Sequence, residues 1–133
     1  MGGNFAFDEE GKFFQTATIY GYVKKDEIRE SYKSLMALLN SKLCWWFIQN
    51  TGAVMSGGFY RYKPAYINPF PIPAEDKLMR ESESLDNLVE QILLIKKQKP
   101  QEDTSYLETK IDKLVYNLYG LTEDEIQIIE GKE

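Results

Sequence analysis

The side chains with the most chemistry to offer lie between residues 51 and 63. Ser56-Gly57-Gly58 is a small-residue turn, and Phe59-Tyr60-Arg61-Tyr62-Lys63 follows it directly. Glycine lets a backbone approach a phosphate closely. Arginine can bond a guanine edge through two donors, while lysine neutralises phosphate. Tyrosine stacks on bases or bonds to phosphate. In an extended strand Phe59, Arg61 and Lys63 share one face, and Tyr60 and Tyr62 the other. No acid falls between Gly52 and Ile67. The stretch fits a basic, aromatic ribbon that meets nucleic acid. Composition alone favours the plainer alternative, a surface strand that carries two bases.

Little else in the chain can carry catalysis. There is no histidine. That removes Ser-His-Asp and Cys-His nucleophiles, histidine-ligated metals and histidine acid-base work. There is one cysteine, Cys44, so neither an intrachain disulfide nor a Cys-x-x-Cys zinc site can form. Cys44 sits in Leu43-Cys44-Trp45-Trp46-Phe47. Apolar surroundings raise a thiol pKa and make it inert, so Cys44 reads as core. Glu10-x-Lys12 and Glu75-x-Lys77 match the tail of a metal-dependent nuclease motif. Two carboxylates are needed to hold the ion, and no strand Asp lies a suitable distance upstream of either. Asn68-Pro69-Phe70-Pro71 is similar to the Asn/Asp-Pro-Pro-aromatic motif that holds the target amino group in amino-methyltransferases. Here, however, Phe precedes the second proline, and no glycine-rich loop follows a strand. Trp45, Trp46 and Phe47 are consecutive on a helix and cannot all face one way. Either one of them reaches an interface or the buried face is broad.

The elements that must position these residues are legible as apolar patterns. Residues 5–7 read as a strand, 8–11 as a turn and 13–23 as a β-branched, aromatic strand, giving a hairpin. Residues 31–49 read as one helix with Leu35, Leu38, Leu39, Leu43, Trp46 and Phe47 on one face, stopped at Asn50-Thr51-Gly52. Residues 52–67 return to a β pattern, and Pro64 ends their pairing. Asn68-Pro69-Phe70-Pro71-Ile72-Pro73 is a stiff, extended connector. A long amphipathic helix follows over 77–99, striped by Leu85, Leu88, Val89, Ile92 and Ile95. Asp103 or Thr104 caps the next helix, striped by Leu107, Ile111, Leu114, Val115 and Leu118 and stopped by Gly120. The short loop between these two helices makes them antiparallel. Thr122 and Glu125 form a capping box for a last short helix. The expected class is α+β: a small twisted β-sheet with one packed helix, followed by a C-terminal antiparallel helical hairpin. The expected boundary separates residues 1–74 from 75–133.

Size and charge bound the partners. At 133 residues, with 43% hydrophobic and 28% charged side chains, the chain has a globular composition and length enough for one domain plus a helical extension. Net charge is -5, yet residues 11–74 carry eight bases and three acids, and residues 75–133 eight bases and fifteen acids. Partners feel that local potential rather than the total. The N-terminus is no signal peptide. The apolar run 35–48 is broken by Asn40, Ser41 and Lys42 and is too short to span a bilayer. The expectation is a cytoplasmic protein with no membrane partner. Phe5-Ala6-Phe7 reads as a strand already under way, as in the C-terminal piece of something larger.

The order of features is more specific than any one of them. Leu38-Leu39-Asn40-Ser41-Lys42-Leu43, an aromatic helix end, the basic ribbon, Phe70-Pro71-Ile72-Pro73 and the run from Ile111-Asp112-Lys113-Leu114 through Tyr119-Gly120-Leu121-Thr122 occur in succession. Over residues 5–131 this resembles the TaqI-like C-terminal specificity domain of type II and IIG restriction-modification enzymes and N6-adenine DNA methyltransferases. The resemblance implies a DNA target recognition fragment without catalytic residues, metal or cofactor of its own. S-adenosylmethionine would belong to a separate methyltransferase domain, which with double-stranded DNA would be the partner. Carried to matching positions, Ser56, Gly57, Gly58, Tyr60, Arg61, Tyr62 and Lys63 would face DNA. Arg61 would read a base edge, with Lys63, Tyr60, Tyr62 and Ser56 on phosphate or base. The rival reading is a helical protein-docking module that makes no direct DNA contact.

Overall fold

The computed structural model describes residues 5–6, 23–51 and 64–131. Among these residues there are six helices and no strand: α1 (Tyr32–Leu39), α2 (Lys42–Thr51), α3 (Pro64–Ile67), α4 (Glu75–Gln98), α5 (Ser105–Leu118) and α6 (Glu123–Ile129). With helices and no strand among the described residues, the α+β expectation and its twisted sheet are overturned. The expected strand over 13–23 falls almost wholly on 7–22, and the ribbon on 52–63, both outside the described residues.

Three local corrections have physical causes. Phe5 and Ala6 are not in a strand. The Phe5 N–H donates to Asn40 Oδ1 and Asn40 Nδ2 donates back to the Phe5 carbonyl, both at 2.9 Å. Both backbone groups of Phe5 thus meet the Asn40 side-chain amide. The single helix expected over 31–49 is two helices, broken at Asn40-Ser41. Ser41 Oγ donates to the Leu38 carbonyl at 2.6 Å and accepts from the Cys44 N–H at 3.3 Å. It closes one helix and opens the next, as short polar side chains do when they compete with the backbone. Finally, the β pattern expected to run to Ile67 gives way to α3 at Pro64. Proline lacks the N–H that a first helical position leaves unused, so Pro64 opens a helix rather than ending a strand.

The helical tail forms as its stripes predict. α4 has Glu75 and Asp76 in its first turn and Lys96 and Lys97 in its last, each matched to the helix dipole. α5 follows a short loop in which Asp103 Oδ1 accepts from the Ser105 N–H at 2.9 Å. Gly120, at φ +64°, turns the chain after α5. The Thr122–Glu125 capping box opens α6. α4 and α5 pack together, α1 lies on α4, and α2 touches α1, α3, α5 and α6. Leu38 and Ile48 meet Leu78, Leu85, Val89 and Val115 in one core. Cys44 is buried there, and burial pushes its thiol up to about 12.

Leu38→Ala is expected to destabilise the chain by about 2–5 kcal/mol through lost burial and a cavity. Leu94→Ala, on the exposed side of α4, should change stability by no more than about 0.5 kcal/mol. Urea unfolding followed by circular dichroism checks both.

Candidate nucleic-acid interface

Ser56, Gly57, Gly58, Tyr60, Arg61, Tyr62 and Lys63 all lie outside the described residues. The structure gives the frame on either side of them: α2, which ends at Thr51, and α3, which begins at Pro64.

The start of α2 is held by two oxygens. Ser41 Oγ accepts from the Cys44 N–H, and Asp112 Oδ1 of α5 accepts from the Lys42 N–H at 2.9 Å. First-turn N–H groups have no partner inside their own helix, so both bonds satisfy orphan donors. Asp112 is buried, and burial pushes its carboxyl up, against the opposing pull of the Lys42 N–H and the Lys42 charge. Beside it Tyr116, also buried, donates its hydroxyl to Glu130 at 3.2 Å.

The end of α2 is held by rings. Phe47 meets Phe70 edge-on at 5.3 Å between centroids, and Phe70 lies 5.8 Å from Tyr119. The Tyr119 hydroxyl donates to the Pro71 carbonyl, and burial raises its pKa. Phe70 and Ile67 are themselves buried. The Phe70 ring is therefore not available to stack on a base, which removes the amino-methyltransferase reading of Asn68-Pro69-Phe70-Pro71. Asn50 and Thr51 bond back to the Trp46 and Phe47 carbonyls at 2.8 and 2.7 Å. Trp45, Trp46 and Phe47 are each half-buried, the broad face that three consecutive rings require.

The charges of the two halves meet. Arg29 pairs with Glu75, Lys33 with Glu90 at 2.8 Å, and Lys42 with Glu130 at 3.9 Å. Lys24 donates to the Glu30 carbonyl at 2.7 Å and lies over the Tyr32 ring. Arg29, Lys33 and Lys42 are thus answered by acids of the tail. Glu75 is one of those partners, and Glu10-x-Lys12 lies outside the described residues. Among the described residues no group of three His, Cys, Asp or Glu could hold a metal ion, and no helix is long and apolar enough to cross a membrane.

A model of the TaqI-like C-terminal specificity domain matches residues 3–72. The chain belongs to that family. The match takes in the whole of 52–63 and ends inside the connector, so the specificity domain accounts for α1 to α3 while α4 to α6 lie beyond it. The resemblance that runs to residue 131 in the sequence is matched only as far as Ile72. The TaqI-like specificity domain belongs to restriction-modification enzymes, where its part is target recognition. No curated protein and no solved structure matches the chain.

Sequence reasoning missed Asp112 and Tyr119 as frame residues. Asp112 stands three residues before Val115, on the buried stripe of α5, and a lone acid inside an apolar stripe is a readable signal.

Tyr119→Phe is expected to cost about 1 kcal/mol for the lost hydroxyl bond. Phe70→Ala should cost about 3–5 kcal/mol, since it empties the middle of the stack. The raised carboxyl of Asp112 binds its proton more tightly folded than unfolded. Its contribution to stability is therefore fully present below the ordinary carboxylate range and is lost as pH rises through the raised value. Asp112→Asn should gain on the unsubstituted chain as pH climbs from about 4 to neutral, which unfolding titrations at both pH values measure.

Proposed function

We propose that this chain supplies DNA target recognition to an N6-adenine methyltransferase of a restriction-modification system. Residues 1–74 form the C-terminal part of the recognition domain, and residues 75–133 are a helical spacer that docks it. Methylation belongs to a separate S-adenosylmethionine-binding domain, and this chain contributes no catalytic residue. The partners are double-stranded DNA and that methyltransferase domain, in the cytoplasm. Residues 52–63 meet the DNA. Arg61 reads a base edge, Lys63, Tyr60, Tyr62 and Ser56 bond to phosphate or base, and Gly57 and Gly58 let the backbone come close.

One observation carries this reading: the specificity-domain match spans 52–63, the stretch whose residue types suit DNA. The charges support it. An acidic tail would repel DNA if it stood alone, which is the main argument for a docking module. Here Glu75, Glu90 and Glu130 face Arg29, Lys33 and Lys42, so part of the tail's negative potential is cancelled within the chain.

The test is a titration of the full chain on mixed-sequence duplex DNA at several salt concentrations. Affinity should fall steeply with salt as counterions are released. Lys63→Ala should weaken binding to all sequences and reduce the salt slope by about one. Arg61→Ala should cost about 1–3 kcal/mol and relax preference at one base pair. The reading fails if no duplex binds at low salt, with or without the methyltransferase domain. Salt-insensitive docking on that domain alone would then favour the helical docking module.

A further inference from the structure

We propose that Asp112 and Glu130, gathered around Lys42 and Tyr116 where α2, α5 and α6 meet, form a pH-dependent latch: α6 seats more firmly when the two carboxyl groups carry one negative charge between them than when both are ionised.

Four titratable groups from three helices converge here. Lys42 opens α2. Its N–H donates to Asp112 Oδ1 of α5 at 2.9 Å, and its ammonium lies 3.9 Å from Glu130 Oε1. One residue thus reaches both carboxyl groups. Tyr116, one turn beyond Asp112 on α5, donates its hydroxyl to the same Glu130 oxygen at 3.2 Å. Glu130 is the C-cap of α6. Asp112 is 6% exposed, and the Glu130 side chain 21%. Two carboxyl groups therefore stand against one ammonium, on a side chain that is itself 55% exposed. Solvent screens that ammonium, so it offsets the pair only in part. Glu108 of α5 adds a further negative charge. The Tyr116 hydroxyl stays neutral, because burial and the charges of Asp112 and Glu130 raise its pKa. The other acids of α6, Glu123, Asp124 and Glu125, lie exposed in its first turn.

The sign of the effect follows from which group can lose its charge and which can move. Burial pushes the Asp112 carboxyl up. The Lys42 N–H and charge pull the other way, and the charges of Glu130 and Glu108 add to the rise. A protonated Asp112 still accepts from the Lys42 N–H, since a neutral carboxyl keeps acceptor capacity, but it no longer repels Glu130. As pH rises through the raised value, Asp112 ionises and two like charges face each other where little water reaches. The stability that its proton gives to the seated state is present below the ordinary carboxylate range and is lost over that rise. Asp112 cannot retreat, because it stands between buried Ile111 and Val115 in the core helix α5. α6 can. It has seven residues and none of them is buried. It rests on the core only through the partly buried Ile126 and Ile129. It is joined to α5 through Gly120, around which a side chain would meet nothing within 4 Å.

Hydrogen exchange of the full chain tests the latch at about pH 5 and about pH 8, corrected for the intrinsic exchange rate. The amides of Ile126 and residue 130, which bond to the Thr122 and Ile126 carbonyls, read the opening of α6. The amide of Val89, buried in α4, reads whole-chain unfolding alongside. Carbon-13 NMR reads the titration midpoint of Asp112. Opening of α6 should increase about tenfold from the lower pH to the higher, beyond any change at Val89. Glu130→Gln keeps an acceptor for Tyr116 without the charge. It should lower the Asp112 midpoint and flatten the pH dependence of α6 opening. Asp112→Asn should flatten it as well. Lys42→Met keeps the backbone N–H and alters an exposed side chain. It should raise the Asp112 midpoint and increase α6 opening about threefold at the higher pH, and it decides the matter if the two buried variants do not fold. The latch is overturned if α6 opening tracks Val89 at both pH values, or if neither Glu130→Gln nor Lys42→Met moves the Asp112 midpoint.

Discussion

A continuous helix from Tyr32 to Thr51 would run about 30 Å in one direction and could follow only one partner. The break at Asn40-Ser41 lets α1 lie on α4 while α2 turns to α5 and α6. Both sides of the break are satisfied. Ser41 answers the Leu38 carbonyl and the Cys44 N–H, and Asn40 holds the backbone of Phe5 through two bonds. Without that corner Leu38 and Ile48 could not enter the same core. The rest of the described fold is arranged around it.

The corner also explains the distribution of charge. Once α1 lies across α4, Lys33 reaches Glu90, while Arg29, just before α1, reaches Glu75. Ser31 and Ser34 both donate to Asp86 of α4, at 2.5 and 2.8 Å. Among the described residues Arg29, Lys33 and Lys42 meet acids of the tail, and the net charge of -5 is a poor guide to the potential that a partner meets at any one face.

The tail was legible because its signals agree at every level. The stripes over α4 and α5, the basic last turn, Gly120 and the Thr122–Glu125 box all point to one answer. The corner was hidden because the apolar spacing from Leu35 to Phe47 continues across Asn40-Ser41 as though the helix did. Periodicity registers the buried face, but the competition of two short side chains for backbone groups leaves it unchanged. Pro64 is ambiguous for a related reason: proline can end a strand or open a helix, and periodicity does not separate the two. Of the candidate site, residues 52–63 lie outside the described residues and inside the stretch that the family model matches. Its frame was half visible, through Phe47, the proline-rich connector and the α5 stripe. The tertiary partners Asp112 and Tyr119 were not.

Fold and recognition depend on different forces, and that separates their responses to salt. Each ion pair between the halves keeps at least one partner well exposed, Arg29 at 70%, Glu90 at 55% and Lys42 at 55% side-chain exposure. Pairs of that kind contribute about 0–1 kcal/mol each and are screened as salt rises. The core of Leu38, Ile48, Leu78, Leu85 and Val115 is apolar and fully buried, and its burial does not weaken with ionic strength. The Asp112 bond lies inside that shell and is screened far less than a surface pair. The packing of α2 and α3, on either side of residues 52–63, therefore persists as salt rises. Under the proposed DNA reading, a salt-dependent loss of affinity would report counterion release rather than loosening of the described helices, because their core is held by interactions that salt leaves in place.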